Sequence, residues 1–297
     1  MTGTSTERPA PAAASGTFRL GGDLEVNRLG YGTMQLTGEG VWGWPDDREN
    51  ALAVIRRAVE LGVDLLDSAD AYGPFVTDAL IREAFDVYPD DLVVATKVGY
   101  TRSGPGRWTS LARPDYVRQQ TELLLRTLGV ERIDLLQLHR IDPGVPLEDT
   151  IGELAALQSE GKVRHLGLSE VTVEEFEAAE AIAPIASVQN MFNLTHRGSE
   201  PVLEYAESKG IAFIPWFPLA TGGLAAPGGP LDELAARHGA TPSQLALAWL
   251  LRRSPVMLPI PGTASIGHLE QNMGAVEIVL SDDEFAELDA LGAAEED

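Results

Sequence analysis

The sequence predicts an α/β fold, a single (β/α)8 TIM barrel with an N-terminal β-hairpin cap, and three observations carry that prediction. Eight short β-rich apolar runs alternate with amphipathic stretches. Four of those stretches stop at Gly62, Gly129, Gly161 and Gly210, each just before the next run, and glycine is the residue that most readily closes a helix C-terminus. The alternation fills roughly 250 residues, the usual extent of such a barrel. An open doubly wound sheet is the alternative, weakened because no GxGxxG follows the first run.

Residues Met1 to Gly16 are rich in Ala, Pro, Ser and Thr without an apolar core, and read as a flexible tail rather than a signal peptide. Residues 17–297 read as one barrel domain, since no Pro/Ser linker divides them. The hairpin comes first, Thr17 to Leu20 and Leu24 to Val26 around the turn Gly21-Gly22-Asp23. The strand candidates are then Leu29–Thr33, Val63–Leu66, Leu92–Thr96, Ile133–Leu138, Val163–Leu168, Ala186–Gln189, Ile211–Pro215 and Val256–Ile260. Between them the helical period is plain. Ala51, Val54, Ile55, Ala58 and Leu61 share one face, as do Val117, Thr121, Leu124, Leu125 and Leu128.

Composition narrows the function. The 297 residues are 44% hydrophobic and 23% charged, enough for a substantial core. The absence of cysteine excludes disulfides, thiolate zinc sites and Cys nucleophiles, and fits a cytoplasmic location. Forty-five acidic residues against 22 basic ones give a net charge of −23, which opposes nucleic acid and anionic membrane surfaces. The apolar stretch Ile211–Leu224 is short and broken by Pro215, Pro218, Gly222 and Gly223, so no membrane span is expected. Five scattered histidines with no HxH or HExxH argue against a metal-dependent hydrolase. The expected partner is a small molecule rather than a nucleic acid or a membrane, with the chain a monomer or small homo-oligomer.

Asp67, Tyr72, Lys97 and His139 each stand at or just past the end of a strand candidate, and strand C-terminal ends of a parallel barrel converge on one face. Taken singly, Asp67 is a turn acid, Tyr72 a packing residue, Lys97 half of a surface ion pair and His139 a core imidazole. Taken together they can move a proton. A cation closing the apolar run Leu92 to Thr96 must snorkel or find an acid, and Asp67 is the obvious partner. The ammonium in turn is expected to lower the Tyr72 hydroxyl from its ordinary value of about 10. His139 would donate to a substrate carbonyl or share in the relay.

With these residues in place the chain resembles the aldo-keto reductase family. The resemblance lies in Leu66-Asp67-Ser68-Ala69-Asp70-Ala71-Tyr72-Gly73, Ala95-Thr96-Lys97 and Leu138-His139-Arg140, and the tetrad matches residue by residue. Further matches are Gly167-Leu168-Ser169, Ser187-Val188-Gln189-Asn190 and Ile260-Pro261-Gly262-Thr263, so that it runs from about Val26 to Leu280. It implies a barrel that binds an extended nicotinamide dinucleotide and reduces an aldehyde or ketone. By the same resemblance Ser169, Gln189 and Asn190 are cofactor contacts, the first two holding the nicotinamide carboxamide. Trp216 stacks beneath the ring where family members often have Tyr. Pro218, Leu219, Gly222, Gly223 and Leu224 belong to a loop over the pyrophosphate. Gly262, Thr263, Ser265 and His268 match the phosphate segment, and Gln271 and Asn272 the adenine contacts.

Two departures stand out. Gly262 and His268 replace the Lys and Arg that recognise the 2′-phosphate in many members, and Glu170 replaces an Asn that commonly follows the Ser. NADPH is the expected cofactor, with NADH open as the alternative. Trp42, Trp44, Phe75, Tyr100, Trp108 and Phe192 are candidates for an aromatic pocket wall. The pattern Asn27-Arg28-Leu29-Gly30-Tyr31-Gly32 with Met34-Gln35-Leu36 is similar to pyridoxal reductase-like members, making pyridoxal or another aromatic carbonyl the first candidate substrate. A second reading of the same resemblance is a cofactor-binding redox-sensing or regulatory subunit with little turnover.

Overall fold

A computed structural model describes residues 10–219 and 228–296. Residues 10–16, read above as the end of a flexible tail, are instead packed. Pro11–Ser15 form a turn of 3-10 helix, with Ala12 fully buried. The Ala12 amide donates to the Leu61 carbonyl at 2.9 Å, and Ser15 Oγ accepts from Leu29 N at 3.0 Å.

Strands β1 (Thr17–Leu20) and β2 (Leu24–Asn27) form the expected hairpin. There follow β3 (Tyr31–Gly32), α1 (Arg48–Glu60), β4 (Leu65–Asp67), α2 (Val76–Ala84) and β5 (Val93–Val98). A second antiparallel hairpin, β6 (Tyr100–Gly104) and β7 (Arg107–Ser110), was not anticipated. Its signal lies in the turn Ser103-Gly104-Pro105-Gly106 between two short β-rich pieces. The chain continues through α3 (Pro114–Leu128), β8 (Ile133–Leu138), α4 (Leu147–Ser159), β9 (Val163–Ser169), α5 (Val173–Glu180), β10 (Ile185–Gln189), α6 (Glu200–Lys209) and β11 (Ala212–Phe213). Helices α7 (Pro230–Arg237), α8 (Pro242–Arg253), α9 (Ile266–Met273) and α10 (Asp282–Glu296) complete it.

Seven parallel strands run in the order β11-β10-β9-β8-β5-β4-β3. The eighth candidate, Val256–Ile260, does not form a regular strand, and its prolines explain why. Pro259 and Pro261 have no N–H to donate, so a ladder cannot propagate. Their carbonyls still accept, from Gly30 N at 2.9 Å and Gly32 N at 3.4 Å. On the other side Phe213 N donates to Val256 O, and Leu258 N to Phe213 O. This irregular segment closes the barrel between β11 and β3.

The helices ring the outside, each of α1 to α5 touching the next and α9 returning to α1. Local signals set their ends. Asp47 caps α1 by accepting from Asn50 N, and Thr172 with Glu175 and Thr241 with Gln244 form capping boxes on α5 and α8. Gly62, Gly129, Gly161 and Gly210 all take the left-handed conformation anticipated at helix ends. Both predicted helical faces turn inward, Leu125 alone among their residues being only partly buried.

Inside the barrel a separate apolar cluster joins Leu65, Val93, Ala95, Leu135, Ala186, Ala212, Ile214, Leu258 and Ile260 to Leu20 and Val26 of the first hairpin. That hairpin plugs the N-terminal end of the barrel. Its turn is clasped by β9, where Arg164 and His165 both bond the Asp23 carboxylate. The opposite end is therefore the open one.

Candidate active site

Side chains alternate along a strand, so the residues facing the barrel axis recur every second position. Leu65, Ala95 and Leu135 lie in the apolar lower layer. Two positions further on come Asp67, Lys97 and Gln137, each no more than 2% exposed. Gly167 on β9 leaves room for this polar layer: a Cβ there would lie 2.3 Å from Ser187 Oγ and 2.8 Å from Gln137 Cγ.

Lys97 Nζ is held at 2.5 Å from Asp67 Oδ2 and donates to Ser68 O at 2.8 Å and to Tyr72 Oη at 3.4 Å. The other carboxylate oxygen, Asp67 Oδ1, accepts from Gln189 Nε2 at 2.8 Å and from Gln137 Nε2 at 3.2 Å. Gln137 was not picked out from the sequence. Its signal is a lone polar side chain, two positions before His139, in the otherwise apolar end of β8. Burial alone would lower the lysine, but Asp67 and Tyr72 outweigh it, so Lys97 is raised and stays an ammonium.

The effect on Tyr72 corrects the expectation. Burial pushes its hydroxyl above the ordinary range, outweighing the lowering by Lys97. Asp67 sits closer to the ammonium than the phenol does and itself opposes tyrosinate. The Tyr72 hydroxyl therefore keeps its proton at neutral pH.

His139 follows β8 and is buried, its Nδ1 without a hydrogen-bond partner. Burial holds its pKa well below the usual imidazole value, and Lys97, Arg140 and Arg102 push the same way, so the ring is neutral. Its ring centroid is 5.9 Å from Tyr72, 4.7 Å from Tyr100 and 6.2 Å from Trp108, all edge-on. The β6–β7 hairpin thus lays Tyr100 and Trp108 over the Tyr72–His139 pair. Gly99 permits that turn, with φ of 119° and Leu138 Cδ1 only 3.1 Å from where a Cβ would stand.

Arg102, also missed, fastens the hairpin down. Its guanidinium lies 3.5 Å from the Trp108 ring centre and donates to the carbonyls of Gly40, Val41 and Ala71. Arg140 donates to Ser169 Oγ at 3.0 Å and stands between the rings of Tyr100 and Trp216. With Arg140 donating to its oxygen, the Ser169 hydroxyl keeps its own proton for another acceptor.

The remaining predicted cofactor contacts divide. Ser169, Gln189 and Trp216 border the same mouth, but Asn190 does not present its amide there. Its Nδ2 donates to Val171 O and its Oδ1 accepts from Val171 N, so the side chain ties β10 to the loop after β9. Pro218 is buried and Leu219 partly so, while Gly222, Gly223 and Leu224 lie outside the described residues. Gly262 is bridged to Gly32, and Thr263 O accepts from Tyr31 Oη at 2.6 Å. Ser265 caps α9 by accepting from His268 N. His268 and Gln271 are exposed, whereas Asn272 is buried with its Nδ2 unpartnered.

The aromatic wall is smaller than expected. Trp42 belongs to it through Arg102, which lies 5.8 Å from its ring centre. Trp44 is 47% exposed beneath Arg48 and stands apart from it. Phe75 packs against the main core. Phe192 is fully buried, stacked on Trp249 at 5.9 Å and edge-on to Phe213 at 5.7 Å. It is a core residue, because the chain after β10 turns it under the helices. Phe192→Leu, which removes buried apolar atoms and leaves a small cavity, is accordingly expected to cost about 1 to 2 kcal/mol of stability with substrate KM unchanged, checked by denaturant unfolding beside steady-state kinetics.

Among the described residues no helix is long and apolar enough to cross a membrane. The model of the aldo/keto reductase family matches residues 28–293. An uncharacterised oxidoreductase of Schizosaccharomyces pombe is 49% identical over 296 residues, covering 100% of this chain and 96% of the relative. A pyridoxine 4-dehydrogenase of Escherichia coli is 43% identical over 94% of this chain and 99% of its own. Among solved structures, the glycerol dehydrogenase of Gluconobacter oxydans superposes with a TM-score of 0.84 at 27% identity, covering 94% of this chain and 95% of its own. An aldo-keto reductase of Klebsiella pneumoniae in complex with NADPH gives 0.80 at 28% identity, covering 93% and 94%.

Proposed function

The chain belongs to the aldo/keto reductase family, and from that premise we propose that it reduces an aromatic aldehyde or ketone with NADPH, pyridoxal being the first candidate. The observation that carries this is Lys97 Nζ lying between Asp67 Oδ2 and Tyr72 Oη, beside His139, at the open end of the barrel.

The residues fit the cofactor. Ser169 has a hydroxyl proton free to donate, Trp216 offers a part-exposed ring, and Asn272 has an unpartnered buried amide. Ser169 and Gln189 would hold the carboxamide, Trp216 the ring face, and Asn272 the adenosine end. When bound, NADPH would supply the hydride for the carbonyl carbon. Tyr72 gives its hydroxyl proton to the carbonyl oxygen as negative charge develops there. Lys97 stabilises the tyrosinate left behind, Asp67 keeps Lys97 charged and in place, and neutral His139 orients the carbonyl oxygen. Tyr100 and Trp108 exclude water and offer flat faces to a planar substrate. The E. coli relative's name supports pyridoxal, since reducing pyridoxal to pyridoxine is the reverse of a 4-dehydrogenation.

The test is NADPH consumption with pyridoxal beside a panel of aromatic and aliphatic aldehydes. Turnover with the aromatic members is expected, and NADPH should bind more tightly than NADH. Equal binding or tighter NADH overturns the cofactor preference, and no turnover with any carbonyl overturns the reading.

The pH dependence has a definite sign. Reduction needs Tyr72 protonated, and its raised pKa places that loss above the ordinary value of about 10. His139, lowered from about 6.5, stays neutral across the same range. The kcat/KM for reduction should therefore be flat between about pH 7 and 9. Alcohol oxidation needs the tyrosinate, whose fraction grows tenfold per pH unit below the pKa, so its kcat/KM should climb with pH. Profiles in both directions check this; reduction that falls through neutral pH contradicts it.

A further inference from the structure

The structure assigns to Glu170 a positioning role: we propose that its carboxylate holds and polarises the Trp216 indole so that the mouth favours the oxidised nicotinamide ring over the reduced one. This rests on the placing of Trp216 under that ring in the function proposed above. Glu170 follows β9 with φ of 56°, a conformation a non-glycine residue keeps only when its surroundings hold it there. Its Oε1 accepts from Trp216 Nε1 at 2.6 Å and from the Met191 amide at 2.5 Å. Met191 and Trp216 are themselves bridged, and Trp216 N donates to Asn190 O. One carboxylate oxygen thus gathers the segments that follow β9 and β10 and the third residue past β11, with the indole as its side-chain partner.

An indole N–H only donates, and a carboxylate gives it a charge-assisted acceptor. Negative charge at the N–H end pushes electron density into the ring and deepens its negative face. The oxidised nicotinamide ring is a cation and the reduced ring is neutral, so a richer face holds the oxidised form more strongly. Arg140, 5.8 Å from the same ring, works against this attraction, leaving Glu170 to offset it.

The experiment is calorimetric titration of NADP+ and NADPH into the wild type, Glu170→Gln, Trp216→Phe and the double variant. Gln keeps an oxygen for both N–H groups and removes the charge. In the Trp216 background Glu170→Gln is expected to weaken NADP+ about three- to tenfold and NADPH by at most about twofold. In the Trp216→Phe background it should change neither, because the effect travels through the indole. An equal loss for both cofactors overturns the proposal, as does the same NADP+ loss with Phe at 216, which would mark a direct action of the charge. In the protein without nucleotide, the indole 1H–15N resonance identified by Trp216→Phe should move upfield in Glu170→Gln. An unmoved resonance overturns the bond itself. A wild type that binds neither nucleotide removes the function proposed above and this inference with it; binding without the coupling removes this inference alone.

Discussion

Tyr72→Phe is expected to lower kcat for carbonyl reduction by on the order of a hundredfold or more, with NADPH affinity within about twofold of wild type. The magnitude follows from the worth of one preorganised donor at a developing oxyanion, about 3 to 4 kcal/mol. The variant loses the hydroxyl that accepts from Lys97 Nζ at 3.4 Å, while the ring keeps its place 5.1 Å from that ammonium. The ring itself remains to pack edge-on against Trp108 at 6.4 Å and His139 at 5.9 Å, so the fold should be unaffected. Steady-state kinetics at saturating cofactor, with the unfolding midpoint measured alongside, separate a lost proton from a lost structure. Wild-type kcat in the variant would remove Tyr72 as the acid.

Lys97→Met should be the more damaging change, because it strikes stability and chemistry together. Lys97 and Asp67 are a buried pair, 0% and 2% exposed. Removing the cation leaves the Asp67 carboxylate in the barrel with only two glutamine amides against it. Breaking such a pair costs about 3 to 5 kcal/mol. Met fills most of the volume of Lys, so the cost is electrostatic rather than a cavity. Neutralising the partner as well, in Lys97→Met/Asp67→Asn, should recover most of the stability, since Asn keeps an oxygen for Gln189. Activity should not return, because no cation is left to stabilise the tyrosinate. Denaturant unfolding of the single and double variants measures the first claim and turnover the second. A double variant no more stable than Lys97→Met would show that the charge left on Asp67 is not the source of the loss.

The part of the site written into strand ends was legible in the sequence. Asp67, Lys97 and His139 sit where period-two alternation and a C-terminal strand position together determine both depth and direction. Tyr72 followed because Gly73 closes a short turn onto that face. What lay beyond the strand ends was not legible, since a loop side chain points where its backbone dihedrals send it. Phe192 and Asn190, one to three residues past β10, turn away from the mouth for that reason. Glu170 turns toward Trp216 through a left-handed residue that no propensity would place there. Arg102 was hidden differently, as its role depends on carbonyls of Gly40, Val41 and Ala71, tens of residues upstream. The fold was readable from the glycine stops and helical faces. The eighth strand failed only in its regularity, and Pro259 and Pro261 carried that signal openly. Tyr72's acidity was misjudged in sign because the competing burial and the nearness of Asp67 to Lys97 are properties of three dimensions.

Hydride delivery assisted by Tyr72 is tested most directly by a single turnover of pyridoxal with NADPH deuterated at the transferring C4 position, run in wild type and Tyr72→Phe. The expected result is an alcohol bearing the deuterium on the former carbonyl carbon, formed readily by the wild type and scarcely by the variant in the same time. Alcohol without the label, or equal yields from the two proteins, would contradict it.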